Sequence, residues 1–446
     1  MSTLEESGSH LGQTLYQNAK KIIPGGTQLL GKRAEMYLPE LWPAYYSRAK
    51  GVKIWDLDGR EYLDCTMVGI GTSVLGYADT DVCDATIRAL QSGNLTTLNA
   101  PEEVELAELL ISLHPWAEMV RYARSGGEMM SVAIRVARAA TGREKIAFCG
   151  YHGWHDWYLS ANLSEQQALD GHLLPGLEPL GVPRGLRGTL LPFRYNNLAD
   201  IQAIVQEHGT DLAAIVMEPC REEGPHDDYL AKVRQLADQC GAVLIFDEIT
   251  SGWRMATSGM HRIYGVDPDL ATFGKTISNG VPMAALIGKA SIMNAVQKTF
   301  ISSTYWTDRM GPTASLACLK KHQRLNVGDY LTKVGTEVQQ GWLHAAQSHG
   351  LAITVAGIPP LASFRLEIEH WEVALTFFIQ EMLARDILAS DRFYANLCHD
   401  ELSIKRYLQA CGEIFGEIKA MMVRGDPIAH RLKGPVKHMG FKRLTS

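Results

Sequence analysis

Several protein classes are excluded by what this chain lacks. Its eight cysteines, at 65, 83, 149, 220, 240, 318, 398 and 411, form no C-x-x-C pair. That argues against a zinc site or a redox dithiol, and a reduced, cytoplasmic setting is the expectation. Lys and Arg total 43 against 49 Asp and Glu, for a formal net charge of −6. No basic block appears, and a nucleic-acid partner needs clustered cations to meet phosphates. No apolar run approaches the ~20 residues of a membrane span. The opening segment is polar and lacks a signal peptide's apolar centre. Internal repeats and low-complexity stretches are missing as well.

The chain has 446 residues, 46% of them hydrophobic and 21% charged. That is the composition of an ordinary globular protein, but too long for one hydrophobic core. "GVKIWDLDGREYLD" (51–64) reads as a hairpin turning at Asp58-Gly59. In the middle of the chain, short apolar runs alternate with helical patterns. The runs "KIAFCG" (145–150), "LAAIVMEP" (212–219), "AVLIFDE" (242–248), "LATFGK" (270–275) and "MAALIGK" (283–289) are strand candidates. Helical spacing marks 128–142 and 228–241, the former with a buried stripe of Met129, Ala133, Val136 and Ala140. This alternation predicts an α/β domain with a mainly parallel sheet, whose ligand lies at the carboxyl ends of the strands. Past residue 320 the texture changes. Helical patterns cover 326–349, 370–386 and 401–421, with a strand at 361–368. The expected division is a large domain at 71–320, with 1–70 joining 321–446 in a smaller one. The basic tail "RLKGPVKHMGFKRLTS" reads as a surface or subunit-contact segment.

Four features carry chemistry. Asp247 ends an apolar strand run; it is either a loop or capping aspartate or a carboxylate facing a buried cation, such as a protonated ring nitrogen. Lys275 ends another, as a snorkelling rim lysine or as an amine that attacks an aldehyde. Ser125, Gly126 and Gly127 open a long helix, so their amides suit an anion, although a plain capped entry with Ser125 or Glu128 is the commoner case. "FCGYHGWHDWY" (148–158) is aromatic-rich. An aromatic there could cover a flat ring, or the cluster simply packs on the core. His152 and His155 lack the partners of a metal site, so no metal is expected. An anion, a ring nitrogen and an aldehyde are the three handles of pyridoxal phosphate.

The blocks "IFDEITSGWR" and "TFGKTISNGVPMAALIGK" resemble the signatures of class-III, fold type I, pyridoxal-phosphate aminotransferases. "IPGGTQLLGKR", "WDLDGREYLD", "SGGEMMSVAIRVARAATGREKI" and "YHGWHDWY" are similar to glutamate-1-semialdehyde aminomutase and its relatives. The resemblance runs from about residue 20 to 420. It implies a large domain with a seven-stranded, mainly parallel sheet flanked by helices, and a smaller α+β domain built from both termini. It also implies that Lys275 forms the internal aldimine and that Asp247 pairs with the pyridine nitrogen. Ile249 and Tyr151 would cover the two ring faces, and Ser125, Gly126 and Gly127 the phosphate. Thr304, or less readily Thr307, would reach the phosphate of a neighbouring subunit in a homodimer. The implied reaction moves an amino group from an amino donor to a small carbonyl acceptor. An intramolecular aminomutase is the alternative, with a racemase or decarboxylase behind it.

The chain departs from the pattern on the substrate side. "SGGE" stands where S-G-T-E is common, and "EPCREEGP" replaces "EPVAGNMG" with the loss of an asparagine. "STYWTDRMGPT" differs from T-x-S-G-N-P, and "ASDRFYANLCHDE" is shortened. Substrate-binding candidates are Arg221, Glu222, Glu223 and Arg309. Arg33 and Arg254 read more readily as surface salt bridges.

Overall fold

A computed structural model describes residues 10–164, 167–170, 176–220 and 222–439. They divide into two compact units: 71–75 with 79–332, and 10–70 with 76–78 and 333–439.

In the larger unit, apolar runs too short for helices pair into one seven-stranded sheet. Its strands are β1 (Met119–Ala123), β2 (Lys145–Cys149), β3 (Leu190–Pro192), β4 (Leu212–Met217), β5 (Val243–Asp247), β6 (Leu270–Phe273) and β7 (Ala284–Gly288). Their order across the sheet is β1-β7-β6-β5-β4-β2-β3. β2 to β6 pair in parallel, and β7 runs antiparallel to both of its neighbours.

Both faces of this sheet are covered, which is why its strands are apolar without alternation. Ile146, Phe148, Ala214, Val216, Val243 and Ile245 point to one face, beneath the helix Gly126–Thr141. Ala147, Ile215, Met217, Leu244 and Phe246 point to the other, where Tyr229, Leu230, Val233 and Ala237 of the helix Tyr229–Cys240 pack. This two-residue alternation fixes the direction of the polar residues at the strand ends. Asp247 shares the parity of Val243 and Ile245, so it faces the Gly126–Thr141 helix, and Glu248 faces away. Within that helix Met129, Ala133 and Val136 are buried as expected, but Ala140 is exposed, because the last turn runs past the sheet.

In the smaller unit the predicted hairpin is present, pairing Lys53–Asp56 with Glu61–Cys65. Tyr46–Lys50 extends it on one side and Ile387–Ala389 adds in parallel on the other. A second, antiparallel sheet joins Ile353–Ala356, Leu361–Leu366 and Arg392–Tyr394. Trp342, Phe364, Phe378, Phe393, Tyr407 and Phe415 form its buried aromatic core, and Trp342 Nε1 donates to the Tyr407 hydroxyl at 3.1 Å. The basic tail does not lie free as far as Met439. Lys437 is buried, and its amide donates to Thr376 Oγ1.

Candidate active site

The carboxyl ends of β2, β4, β5 and β6 gather the residues singled out in the sequence. Asp247, the last residue of β5, is 3% exposed. Its Oδ1 accepts from the Ile249 amide at 3.1 Å and from Thr272 Oγ1 at 3.4 Å. The first of these is the local turn that the plain loop reading foresaw. Its Oδ2 lies 2.8 Å from Nδ1 of His152, whose side chain is fully buried. The other imidazole nitrogen, Nε2, is 3.0 Å from the Cys149 carbonyl. A carbonyl only accepts, so Nε2 carries a proton, and a second proton must lie between Nδ1 and Oδ2. The pair is therefore joined by a hydrogen bond buried beneath the site.

His152 was weighed in the sequence only as a metal ligand. It stands 95 residues from Asp247, and no spacing rule links the two. His155 diverges from it: its Nδ1 meets Ser131 Oγ, and burial pulls its basicity below the ordinary value. Among the described residues no three His, Cys, Asp or Glu gather in a metal-binding cluster.

Lys275 opens a short 3-10 turn after β6, with φ at 43°, in the left-handed region that non-glycine residues rarely adopt. Such strain persists only where the surroundings over-determine it. Here Lys275 Nζ donates to Thr250 Oγ1 at 2.7 Å, and Thr276 Oγ1 donates to the Gly252 carbonyl at 2.9 Å. Both bonds tie the lysine turn to the segment that follows Asp247.

Ile249 joins these parts to the helix entry. A Cβ on Gly126 would come within 2.8 Å of Ile249 Cδ1, and one on Gly274 within 3.3 Å of Cγ2. Glycine at both positions lets the helix entry and the lysine turn close on one isoleucine. At the entry Ser125 and Glu128 form a complete capping box, worth about 1 kcal/mol. Their bonds engage the amides of Ser125 and Glu128, whereas those of Gly126 and Gly127 lie in the first turn, where no intrahelical carbonyl reaches. The capping box thus leaves the amides of Gly126 and Gly127 outside its own bonds. Tyr151 packs against the same core as Ile249, and its amide donates to Glu218 Oε2 at 3.2 Å.

The substrate-side candidates scatter. Arg221 lies outside the described residues. Glu222 and Glu223 are exposed, the latter 3.2 Å from His226. Arg309 is held by both oxygens of Glu102, at 2.7–3.0 Å, on the wall of a cavity of about 360 Å³ lined also by Arg88, Glu105 and Lys320. Thr304 and Thr307 sit on an exposed turn. Arg254 is not a surface residue. It is 1% exposed and donates to the carbonyls of Thr250 and Gly71, which pins the turn that carries the lysine's partner.

A family model for class-III aminotransferases matches residues 38–361. The chain belongs to the class-III aminotransferases. The 3-aminobutyryl-CoA aminotransferase of Cloacimonas acidaminovorans is 30% identical over 426 residues, covering 92% of this chain and 97% of that one. A glutamate-1-semialdehyde 2,1-aminomutase of Desulforamulus reducens is 32% identical over 429 residues, covering 90% and 97%. Among solved structures, an omega-transaminase from Sphaerobacter thermophilus superposes with a TM-score of 0.80 at 25% identity, covering 92% and 98%. The fold is thus fold type I, and this class-III aminotransferase uses pyridoxal phosphate.

On the opposite side of the sheet the aminotransferase buries a second polar chain. Trp116 Nε1 donates to His261 Nε2 at 2.9 Å, and His261 Nδ1 donates to Glu248 at 2.8 Å. Ser251 Oγ also bonds Glu248, at 2.6 Å. Burial works against ionisation of Glu248, but these donors outweigh it and hold its carboxyl below the ordinary value. His322 donates from Nε2 to the Trp253 carbonyl at 2.9 Å, and burial pushes its pKa down to about 4. A base that is harder to protonate when folded contributes stability above its unfolded pKa of about 6.5, and that stability is lost as the pH falls towards 4. Replacing His322 with Gln is therefore expected to flatten the loss of stability between pH 6.5 and pH 4, read from urea midpoints. An unchanged slope would place that acid sensitivity elsewhere.

Proposed function

We propose that Lys275 and Asp247 are the working pair of this aminotransferase, moving an amino group from an amino donor to a separate, small carbonyl acceptor. The observation that carries this is the closure of the lysine turn, the Asp247 segment and the helix entry at Gly126 around Ile249. The residues suit the cofactor. A primary amine, a buried carboxylate and a helix entry match its aldehyde, ring nitrogen and phosphate, and Tyr151 and Ile249 supply flat and branched apolar surface for the ring. When bound, pyridoxal phosphate supplies an aldehyde that takes up amines and a ring that accepts the electron pair left when a proton departs.

The chain's own part is to hold and to move protons. Asp247, oriented by His152, Thr272 and the Ile249 amide, would keep a cationic ring nitrogen paired. Lys275 Nζ would hold the aldehyde. The same Nζ, as a neutral amine, would take up a proton from a substrate carbon and return it. The hydroxyl of Thr250 gives that amine a resting partner at 2.7 Å. The amides of Gly126 and Gly127 would take the phosphate at the positive end of the helix.

The reading extends to a cytoplasmic homodimer. Supporting it are eight free thiols and no described helix long and apolar enough to cross a membrane. The stretch around Thr304 also leaves Phe300 and Tyr305 89% and 73% exposed. Such apolar surface suits a subunit contact.

Three measurements follow. Lys275→Ala is expected to lose the borohydride-fixed cofactor label; a label retained on the variant would rule out Lys275 as the attachment point. Nitrogen-15 in a donor amine is expected to appear in a second, added carbonyl compound. If it returns only within the donor's own carbon skeleton, the aminomutase reading replaces this one. Sedimentation is expected to give twice the 49.3 kDa chain mass, and a single-chain mass would remove the shared-site reading of Thr304.

A further inference from the structure

The loop after β2 lies directly on the helix entry. Gly153 has φ at 102°, and a Cβ there would stand 3.2 Å from the Gly127 Cα, so the loop backbone needs glycine to approach this closely. The approach brings His155 alongside the first turn of the helix Gly126–Thr141. Its Nδ1 is fixed by Ser131, four residues after Gly127 and so on the same helix face. With that end anchored, the ring lies along the helix and Nε2 points towards its start. Nε2 is 3.4 Å from the point where a side chain at 127 would begin, and Trp154 Nε1 is 3.7 Å from that point. The Trp154 ring meets the His155 ring at 4.5 Å and 65°, which limits the imidazole's swing. No protein atom among the described residues partners Nε2.

We propose that His155 Nε2 is a phosphate ligand of the cofactor, occupying the space left by the missing side chain at Gly127. The inference rests on the reading that the Ser125–Gly127 turn holds the phosphate. In the tautomer the proposal requires, the Ser131 hydroxyl donates to Nδ1 and the ring proton resides on Nε2, which then donates into the anion site. The charge balance of the entry calls for such a donor. The Glu128 carboxylate is turned back on the amides of Ser125 and Arg124, so it consumes donors and adds negative charge where a phosphate would sit. A bond from Nε2 restores one donor, reaching from the neighbouring loop into the space beside Gly127.

The test compares pyridoxal phosphate with pyridoxal, which lacks the phosphate, in titrations of cofactor-stripped protein. His155→Ala is expected to weaken binding of the phosphorylated form about tenfold or more, while leaving pyridoxal within about twofold. The preference for phosphate therefore falls. His155→Gln, which keeps an N–H donor, is expected to lose less, and it decides the question if the alanine variant does not fold. In the double variant His155→Ala with Gly127→Thr, a hydroxyl grows into the vacated space and is expected to recover part of the lost preference. Equal losses for both compounds, or no loss, would overturn the proposal and reduce His155 to a packing residue. If the wild-type protein itself binds both compounds equally, the phosphate reading of the turn falls together with this proposal. If only the variants fail to respond, that reading stands without His155.

Discussion

The Asp247–His152 bond is the constraint to which the rest of the site is fitted. A carboxylate that is 3% exposed carries a desolvation cost of several kcal/mol unless its lone pairs are met. All its partners come from backbone already fixed by the sheet. The imidazole hangs from the loop after β2 and is itself anchored on the Cys149 carbonyl. Thr272 stands opposite Asp247 in the β5–β6 register. The Ile249 amide closes the local turn. A carboxylate held from three sides does not rotate away when a cationic group approaches, and this is what a pairing partner for a ring nitrogen requires.

The sheet's two-residue alternation accounts for the neighbouring acid. Asp247 and Glu248 are adjacent in sequence and opposite in space. Asp247 faces the helix entry and Lys275. Glu248 disappears into the Trp116–His261–Ser251 chain on the other side, where it anchors the turn bearing Thr250, Gly252 and Arg254. One acid is held towards the helix entry, and the other anchors the segment between them and the lysine turn. The same economy appears at the helix entry, where Ser125 and Glu128 satisfy a cap that leaves the amides of the two glycines between them outside its bonds.

Much of this was legible beforehand. The strand runs, the long helices, the hairpin at Asp58-Gly59 and the positions of Asp247 and Lys275 follow from apolar periodicity and strand-end polarity, both local properties. Two readings failed and one residue's part went unseen, and each depended on distant chain. Ala140 continues the apolar stripe of its helix but lies past the edge of the sheet. Arg254 looks like a surface cation yet is folded under carbonyls 183 residues apart in sequence from it at one end, at Gly71. His152 carried a metal-like spacing that concealed its bond to Asp247.

By itself the sequence determined the α/β alternation, the order of the polar strand ends and the chemical kinds of group available, because hydrophobic period and residue chemistry are written locally. Only the tertiary structure decided which groups meet. The approach of Gly126 and Gly274 to Ile249, the seating of His155 on Ser131 beside Gly127, and the proton shared by His152 and Asp247 depend on separate segments being brought within 3–4 Å. Hydrogen bonding and close packing act over those few ångströms, and no one-dimensional pattern encodes them.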